Sequence, residues 1–426
     1  MESGILERFN TWWRTGKVRE ELLPEYRRHL FTDIQKYIAL RPAILIYGLR
    51  RVGKSTLLYQ LVSELLEETK PVNILYFSFD DKRYELDDVL ETYQRYVLHN
   101  SFDHLREKVY VFLDEIQKID DWENKVKVVY DLYPKVKFVL SGSASIALRK
   151  AATESLAGRI FHFVLDPLNF AEFLEMQGID TMKIRENPIL WQSNMLLLFD
   201  KYVKYGAFPE LASSDDEEVA RKYINENVME KIIYKDLRES FVIADVNLLK
   251  TLADMVARNP GMLVDYASIA RDLKKDQRTI ANYFEYLEFG MIIRFVFNFR
   301  GSSIASRRKL KKVYLQTPNI AFASNENINA LLPKMYENSV ASATKAKFFY
   351  RNSFEVDFVL QKGVSLTGVE VKSSGAEVRQ LLKLKEKYGA KVKELLLLTD
   401  IPKGNAKGIK IMPIWEYCLF HVHNND

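Results

Sequence analysis

Two stretches of this sequence carry residue types at spacings that do chemistry, and a third carries concentrated charge. The first is Gly48-Leu49-Arg50-Arg51-Val52-Gly53-Lys54-Ser55-Thr56. Glycines at both ends of such a loop let the backbone wrap a phosphate with its amides pointing inward at a helix start. Lys54 is placed to reach β- and γ-phosphates, and the Ser55 hydroxyl to bind Mg²⁺. Gly48, Arg51, Val52, Gly53, Lys54, Ser55 and Thr56 are therefore the expected nucleotide-binding set, with ATP and Mg²⁺ as cofactors. Downstream, the apolar run 109–113 ends in Asp114-Glu115. Asp114 is expected to hold Mg²⁺ and Glu115 to polarise the attacking water. A further apolar run, 137–140, ends in Ser141, expected as a polar sensor near the γ-phosphate.

The second stretch lies near the far end of the chain. Residues 354–360 alternate as a strand, and residues 368–373 read as another after a short turn. Glu370 and Lys372 are two apart, so on a strand they share a face, and Asp357 on the preceding strand can approach them. Two carboxylates for Mg²⁺ and a lysine to help generate hydroxide form the PD-(D/E)xK arrangement of nucleases. Beside the ion the lysine's pKa is expected to fall. Glu337, in the helical segment 332–340, matches the extra carboxylate that a preceding helix supplies. The expected metal set is thus Ser55 and Asp114 in one place and Glu337, Asp357 and Glu370 in the other.

The elements that must position these groups follow from hydrophobic patterning. Short apolar strands at 44–47, 73–79, 109–113, 137–140 and 160–165 alternate with helical patterns, which predicts a parallel sheet wrapped by helices. The nucleotide loops then gather at the carboxyl ends of its strands. Residues 176–240 are helical in pattern and suit a lid. Three further helices are expected at 247–258, 265–273 and 276–289, with Asp276 capping the third, before a strand-like segment from Met291. That segment meets the third stretch, a basic run of Arg300, Arg307, Arg308, Lys309, Lys311 and Lys312 without an acid. Three helices, a strand and a basic hairpin are the layout of a winged helix. In it Gln277, Arg278, Thr279, Asn282 and Tyr283 would face a DNA groove, and the basic run would lie on phosphate.

GLRRVGKSTLL, YVFLDEIQ followed by Trp122, FVLSGSAS and ESLAGRIFHFVLDPLNFAEFLE together resemble the prokaryotic AAA+ P-loop ATPases that carry a C-terminal domain of uncharacterised function. Residues 204–210 and 234–237 match that group too. Ser55, where such families usually have Thr, and Ala207, where they usually have Gly, depart from its pattern. The resemblance implies a multidomain α/β protein: an N-terminal arm (1–28), an AAA+ core (29–175), a helical lid (176–240), a winged helix (241–310) and a restriction-endonuclease-like domain (311–426). It also implies that Arg159 senses the γ-phosphate, in its own chain or across a homo-oligomer, or else caps the preceding helix.

The chain has 426 residues, 47% hydrophobic and 28% charged, with a net charge of +5 and one cysteine, Cys418. That length calls for several domains. A single cysteine excludes an internal disulfide and any cysteine-rich zinc site, as in a reducing cytosol. Apolar runs such as 395–398 are far too short to span a bilayer, and no export signal is visible, so a cytoplasmic location is expected. The leading expectation is an ATP-hydrolysing protein that acts on DNA, with cleavage at the C-terminal acids. An ATP-controlled switch that binds a protein partner through an inert nuclease fold is the alternative. A chaperone or unfoldase has less to support it, since nothing resembles a pore loop.

Overall fold

The computed structural model describes residues 2–80, 83–143, 156–300, 310–372, 378–400 and 403–421. They form two units, one up to Asp166 and the other from Pro167.

The first unit is built on five strands: β1 (Ala43–Gly48), β2 (Ile74–Ser78), β3 (Val109–Asp114), β4 (Val136–Ser143) and β5 (Ile160–Val164). All pair in parallel, in the order β2-β3-β4-β1-β5. Continuous apolar runs such as Ala43-Ile44-Leu45-Ile46 suit this place, because a strand covered on both faces has no polar side to show. Ala43, Leu45, Leu75, Phe77, Val111, Leu113, Phe138 and Leu140 share one buried core. β1 lies between β4 and β5, so the loop that leaves it opens at a point where the chain's connections diverge, the crevice in which such sheets bind ligands.

Within the segment expected as an arm, residues 10–13 close an edge of this sheet. Asn10 donates from Nδ2 to the Tyr76 carbonyl at 2.9 Å and accepts the Tyr76 amide on Oδ1 at 2.6 Å. Both Trp12 and Trp13 donate from Nε1 to the Ile74 carbonyl. Leu6 and Trp12 are buried.

In the second unit, residues 176–240 are largely helical. Three helices follow, Val246–Arg258, Tyr266–Leu273 and Gln277–Phe289, each begun by an aspartate (Asp245, Asp265, Asp276) whose carboxylate accepts amides of the first turn. Five short strands join them: β6 (Met262–Leu263), β7 (Ile293–Asn298), β8 (Lys311–Leu315), β9 (Phe348–Arg351) and β10 (Glu355–Val356), in the order β10-β9-β7-β8-β6. β7 and β8 pair antiparallel, so the boundary drawn at 310 falls inside one hairpin. The last sheet holds β11 (Phe358–Lys362), β12 (Ser365–Val371), β13 (Val392–Thr399), β14 (Gly404–Ala406) and β15 (Ile409–Pro413), ordered β11-β12-β13-β15-β14. The strand expected over 354–360 is broken at Asp357. Before it β10 pairs with β9, and after it β11 pairs with β12. Asp357 is therefore where the chain passes from one sheet to the next. Among the described residues, no helix is long and apolar enough to cross a membrane.

Candidate active sites

At the carboxyl end of the first sheet, the loop after β1 leads into the helix Lys54–Leu65. Gly48 admits no side chain, because a Cβ there would collide with the Leu165 carbonyl. Arg51 (φ 65°) and Gly53 (φ 95°) take left-handed backbone conformations, the alternation that turns successive amides inward. Lys54 is nearly buried and donates from Nζ to the carbonyls of Gly48 at 3.1 Å and Leu49 at 2.8 Å. Its ammonium thus lies across the mouth of the loop.

Asp114, at the end of β3, gathers the rest. One oxygen accepts the Ser55 hydroxyl at 2.6 Å and the Tyr76 hydroxyl at 3.0 Å. The other accepts the Ser141 hydroxyl and the Glu115 amide. The hydroxyl of Ser55 and the carboxylate of Asp114 are hard oxygen donors already in contact, a donor set that fits Mg²⁺. Glu115 is a non-glycine residue with φ 55°, a conformation that costs roughly 1–3 kcal/mol and clusters at working sites. Its carboxylate accepts from Gln117 Nε2. Of the residues expected here, Ser55, Glu115 and Ser141 meet at Asp114, and Lys54 lies on the loop itself. Sequence reading missed Tyr76, which is buried on β2 and whose own hydroxyl is kept protonated by burial and by the Asp114 charge.

A second omission is Arg28. Its buried guanidinium donates to the Val52 carbonyl at 2.8 Å and to the Asp166 carbonyl at 2.8 Å. The phosphate loop is thereby tied to the chain after β5. No spacing rule marks such a residue, because its partners are backbone atoms.

Arg159 needs correction as a sensor in its own chain. It precedes β5, and its carbonyl accepts the Ala43 amide at the start of β1. The phosphate loop lies at the other end of β1, roughly 16 Å away for six residues. The guanidinium instead pairs with Asp131, Nε to Oδ1 at 2.8 Å.

In the second unit, Asp357 and Glu370 clasp each other through their backbones. The Glu370 Oε2 atom accepts the Asp357 amide at 3.4 Å, and Asp357 Oδ2 accepts the Val371 amide at 2.9 Å. Lys372 Nζ lies 2.8 Å from Glu370 Oε1. Glu337, on the helix Leu332–Thr344, accepts the Tyr314 hydroxyl at 2.5 Å. Burial, then the Asp357 charge, pushes both Glu337 and Glu370 above the usual carboxylate range. Burial works against the charge on Lys372, but Glu370 outweighs it and raises that lysine's pKa. The expected fall beside an ion is opposed by this partner. Carboxylates are the right donors for Mg²⁺, yet among the described residues no group of three or more His, Cys, Asp or Glu is gathered as a metal-holding set.

The cation that lies among these acids came from the basic run. Lys312 Nζ is 2.7 Å from Glu355 Oε1 and 3.7 Å from both Glu337 Oε1 and Asp357 Oδ1. Its neighbour Lys311 lies over the rings of Phe295 and Tyr266. Lys312 does not take the expected place on DNA phosphate, since it is buried and its charge is spent on these acids; Lys311 is half-buried. Arg307, Arg308 and Lys309 lie outside the described residues, as does Ser373. Tyr283 also departs from its expected place facing a groove. It is buried, and its hydroxyl accepts the Asp245 amide at 3.0 Å. Gln277, Arg278 and Asn282 are exposed.

A parallel sheet with a phosphate-binding loop, an acid pair at the end of β3 and a serine on β4 defines a P-loop nucleotide-binding domain. Residues 40–174 match the sequence model of the AAA domain family, and this part of the chain is an AAA-type P-loop domain. Residues 196–323 match a domain of unknown function, DUF8612. Two uncharacterised proteins of Methanocaldococcus jannaschii are similar over most of the chain. One is 28% identical across 81% of this chain and 74% of its own length, the other 25% identical across 77% and 74%. Among solved structures, the Aeropyrum pernix ORC1 protein in complex with DNA aligns over 72% of this chain and 95% of its own, at 14% identity and a TM-score of 0.34.

Proposed function

We propose that this protein binds ATP with Mg²⁺ and hydrolyses it in the first unit. The observation that carries the reading is the convergence of Lys54, Ser55, Ser141 and Tyr76 around the loop and the Asp114 carboxylate. In this reading the amides of residues 51–56 and the Lys54 ammonium hold the phosphates, and Gly48 and Gly53 permit the wrap. Ser55 and Asp114 would hold Mg²⁺, which when bound neutralises charge on the β- and γ-phosphates. Glu115 orients and polarises the attacking water, and Ser141 fixes the Asp114 carboxylate. Arg159 acts, if at all, on a neighbouring subunit's nucleotide.

For the second unit we infer an action on DNA. Asp357 and Glu370, with Glu337, are the residues that would hold Mg²⁺, which when bound would acidify a water, and Lys372 would handle that water's proton. The three Asp-capped helices and the β6–β7–β8 sheet serve as a winged helix, with Gln277, Arg278 and Asn282 toward the groove. A second reading, an ATP-controlled switch with an inert nuclease-like fold, is favoured by one observation: the Lys312 ammonium already lies among the acids as a counter-charge. ATP turnover measured with and without single-stranded, duplex and branched DNA tests the choice. DNA-stimulated turnover whose DNA affinity falls steeply as salt rises supports the first. Turnover indifferent to every DNA removes it.

A further inference from the structure

We propose that Lys312 is a built-in cation that competes with a divalent ion for the acidic cluster of the second unit. The inference rests on reading Asp357 and Glu370 as ion-binding carboxylates, and deepens it. An ammonium is costly to bury unless it is paired. Lys312 is 5% exposed, and three carboxylates from two separate segments lie within 4 Å of its Nζ: Glu337 on its helix, and Glu355 and Asp357 at the end of β10. Its strand holds it there. β8 is paired on both sides, with Lys312 opposite Val296 of β7 and Leu263 of β6. Tyr314, two residues on and hence on the same face, adds its hydroxyl to Glu337.

The allocation of oxygens makes the competition specific. Each acid of the Asp357–Glu370 pair has one oxygen committed to a backbone amide. The remaining oxygen of Glu370 faces Lys372, and the remaining oxygen of Asp357 faces Lys312. Lys372 is the half-exposed lysine of the expected cleavage motif and has room to swing away. Lys312 is enclosed and has none. A divalent ion bridging Asp357 and Glu370 would therefore meet an ammonium a few ångströms away, and like charges at that range in a protein interior repel strongly. Removing that ammonium leaves the four acids with one counter-charge fewer and makes the cluster more negative.

The test is Mn²⁺ binding by isothermal titration to the full-length, EDTA-treated protein without nucleotide, with Asp357→Asn identifying the part of the signal that belongs to this cluster. Lys312→Gln is expected to bind Mn²⁺ about tenfold tighter than the wild type or better, while Lys312→Arg, which keeps the charge, stays near the wild type. The double variant Lys312→Gln/Glu355→Gln removes one charge of each sign and serves where the single variant fails to fold; it is expected to gain in the same direction but by less, because only the ammonium beside Asp357 is lost and the net charge is unchanged. Equal affinities in wild type and both glutamine variants would overturn the role of Lys312 and leave the ion-binding acids standing. No Asp357-dependent binding in any of them would overturn both.

Discussion

Arg28 and Val52 are joined by a 2.8 Å hydrogen bond from a guanidinium to the carbonyl of the phosphate loop. The arginine belongs to the segment before the sheet, so the loop's shape depends on residues well outside its motif. Hydrogen bonds from a charged donor contribute about 1.5–3 kcal/mol each when removed. Arg28→Met is expected to weaken binding of a fluorescent ATP analogue by about tenfold and to lower the melting temperature. Arg28→Lys, with one donor direction fewer, should fall between. An unchanged affinity in Arg28→Met would show that the loop holds its shape without the tie.

Lys54 and Glu115 should separate binding from chemistry. Lys54→Ala is expected to lose nucleotide binding, because it removes the ammonium that lies across the loop mouth. Glu115→Gln should bind ATP as before and turn it over 10²–10⁴-fold more slowly, about the contribution of a positioned base. Wild-type turnover in Glu115→Gln would remove this residue from the mechanism.

Arg159 offers a test of assembly. Its place at the far end of β1 predicts that Arg159→Ala binds ATP normally. Slow hydrolysis in that variant, restored in part by mixing with Lys54→Ala, is the outcome of a role across a subunit interface. Normal hydrolysis would leave only the Asp131 ion pair, a surface feature.

Stability should depend on pH through Lys137. This lysine is buried on β4, its ammonium donating to the carbonyls of Tyr37, Leu40 and Pro42, and burial lowers its pKa to about 7. In the unfolded chain the value is 10.5. Between those two values the unfolded chain binds more protons than the folded one, so stability rises with pH from about 7 to 10.5 and is flat in this term on either side. The whole effect is at most about 5 kcal/mol, at 1.36 kcal/mol per pKa unit. Denaturant melts of wild type and Lys137→Met across that range check it, the variant being expected to lose the slope.

The legible parts of the molecule were those written in period and punctuation. Apolar runs marked all five strands of the first sheet, and Asp265 and Asp276 marked two helix starts in the second unit. Asp114 could be placed beside Ser55 because the motif pair is ordered and its flanking strands are unmistakable. Contacts to backbone atoms left no such trace, which is why Arg28 and Asn10 went unread. Lys312 was hidden differently. It sits in a run of basic residues, and composition says nothing about which member turns inward. Its spacing of two from Tyr314 was the available signal, since both lie on one face of β8. The break at Asp357 was equally silent, because residues on either side alternate as one strand while pairing with different sheets.

The paired bonds between the Asn10 amide and Tyr76 have a practical side. The Asn10 side chain presents an N–H and a carbonyl to Tyr76 as a peptide group would, so Asn10 stands in for a neighbouring strand along the edge of β2. Trimming the chain to begin near its first strand, a natural choice when isolating the ATP-binding part, would strip this cover from a flat apolar margin. Such margins recruit other chains. A shortened protein starting after residue 28 should therefore be prone to self-association, while one that keeps Asn10 and Trp12 should stay dispersed.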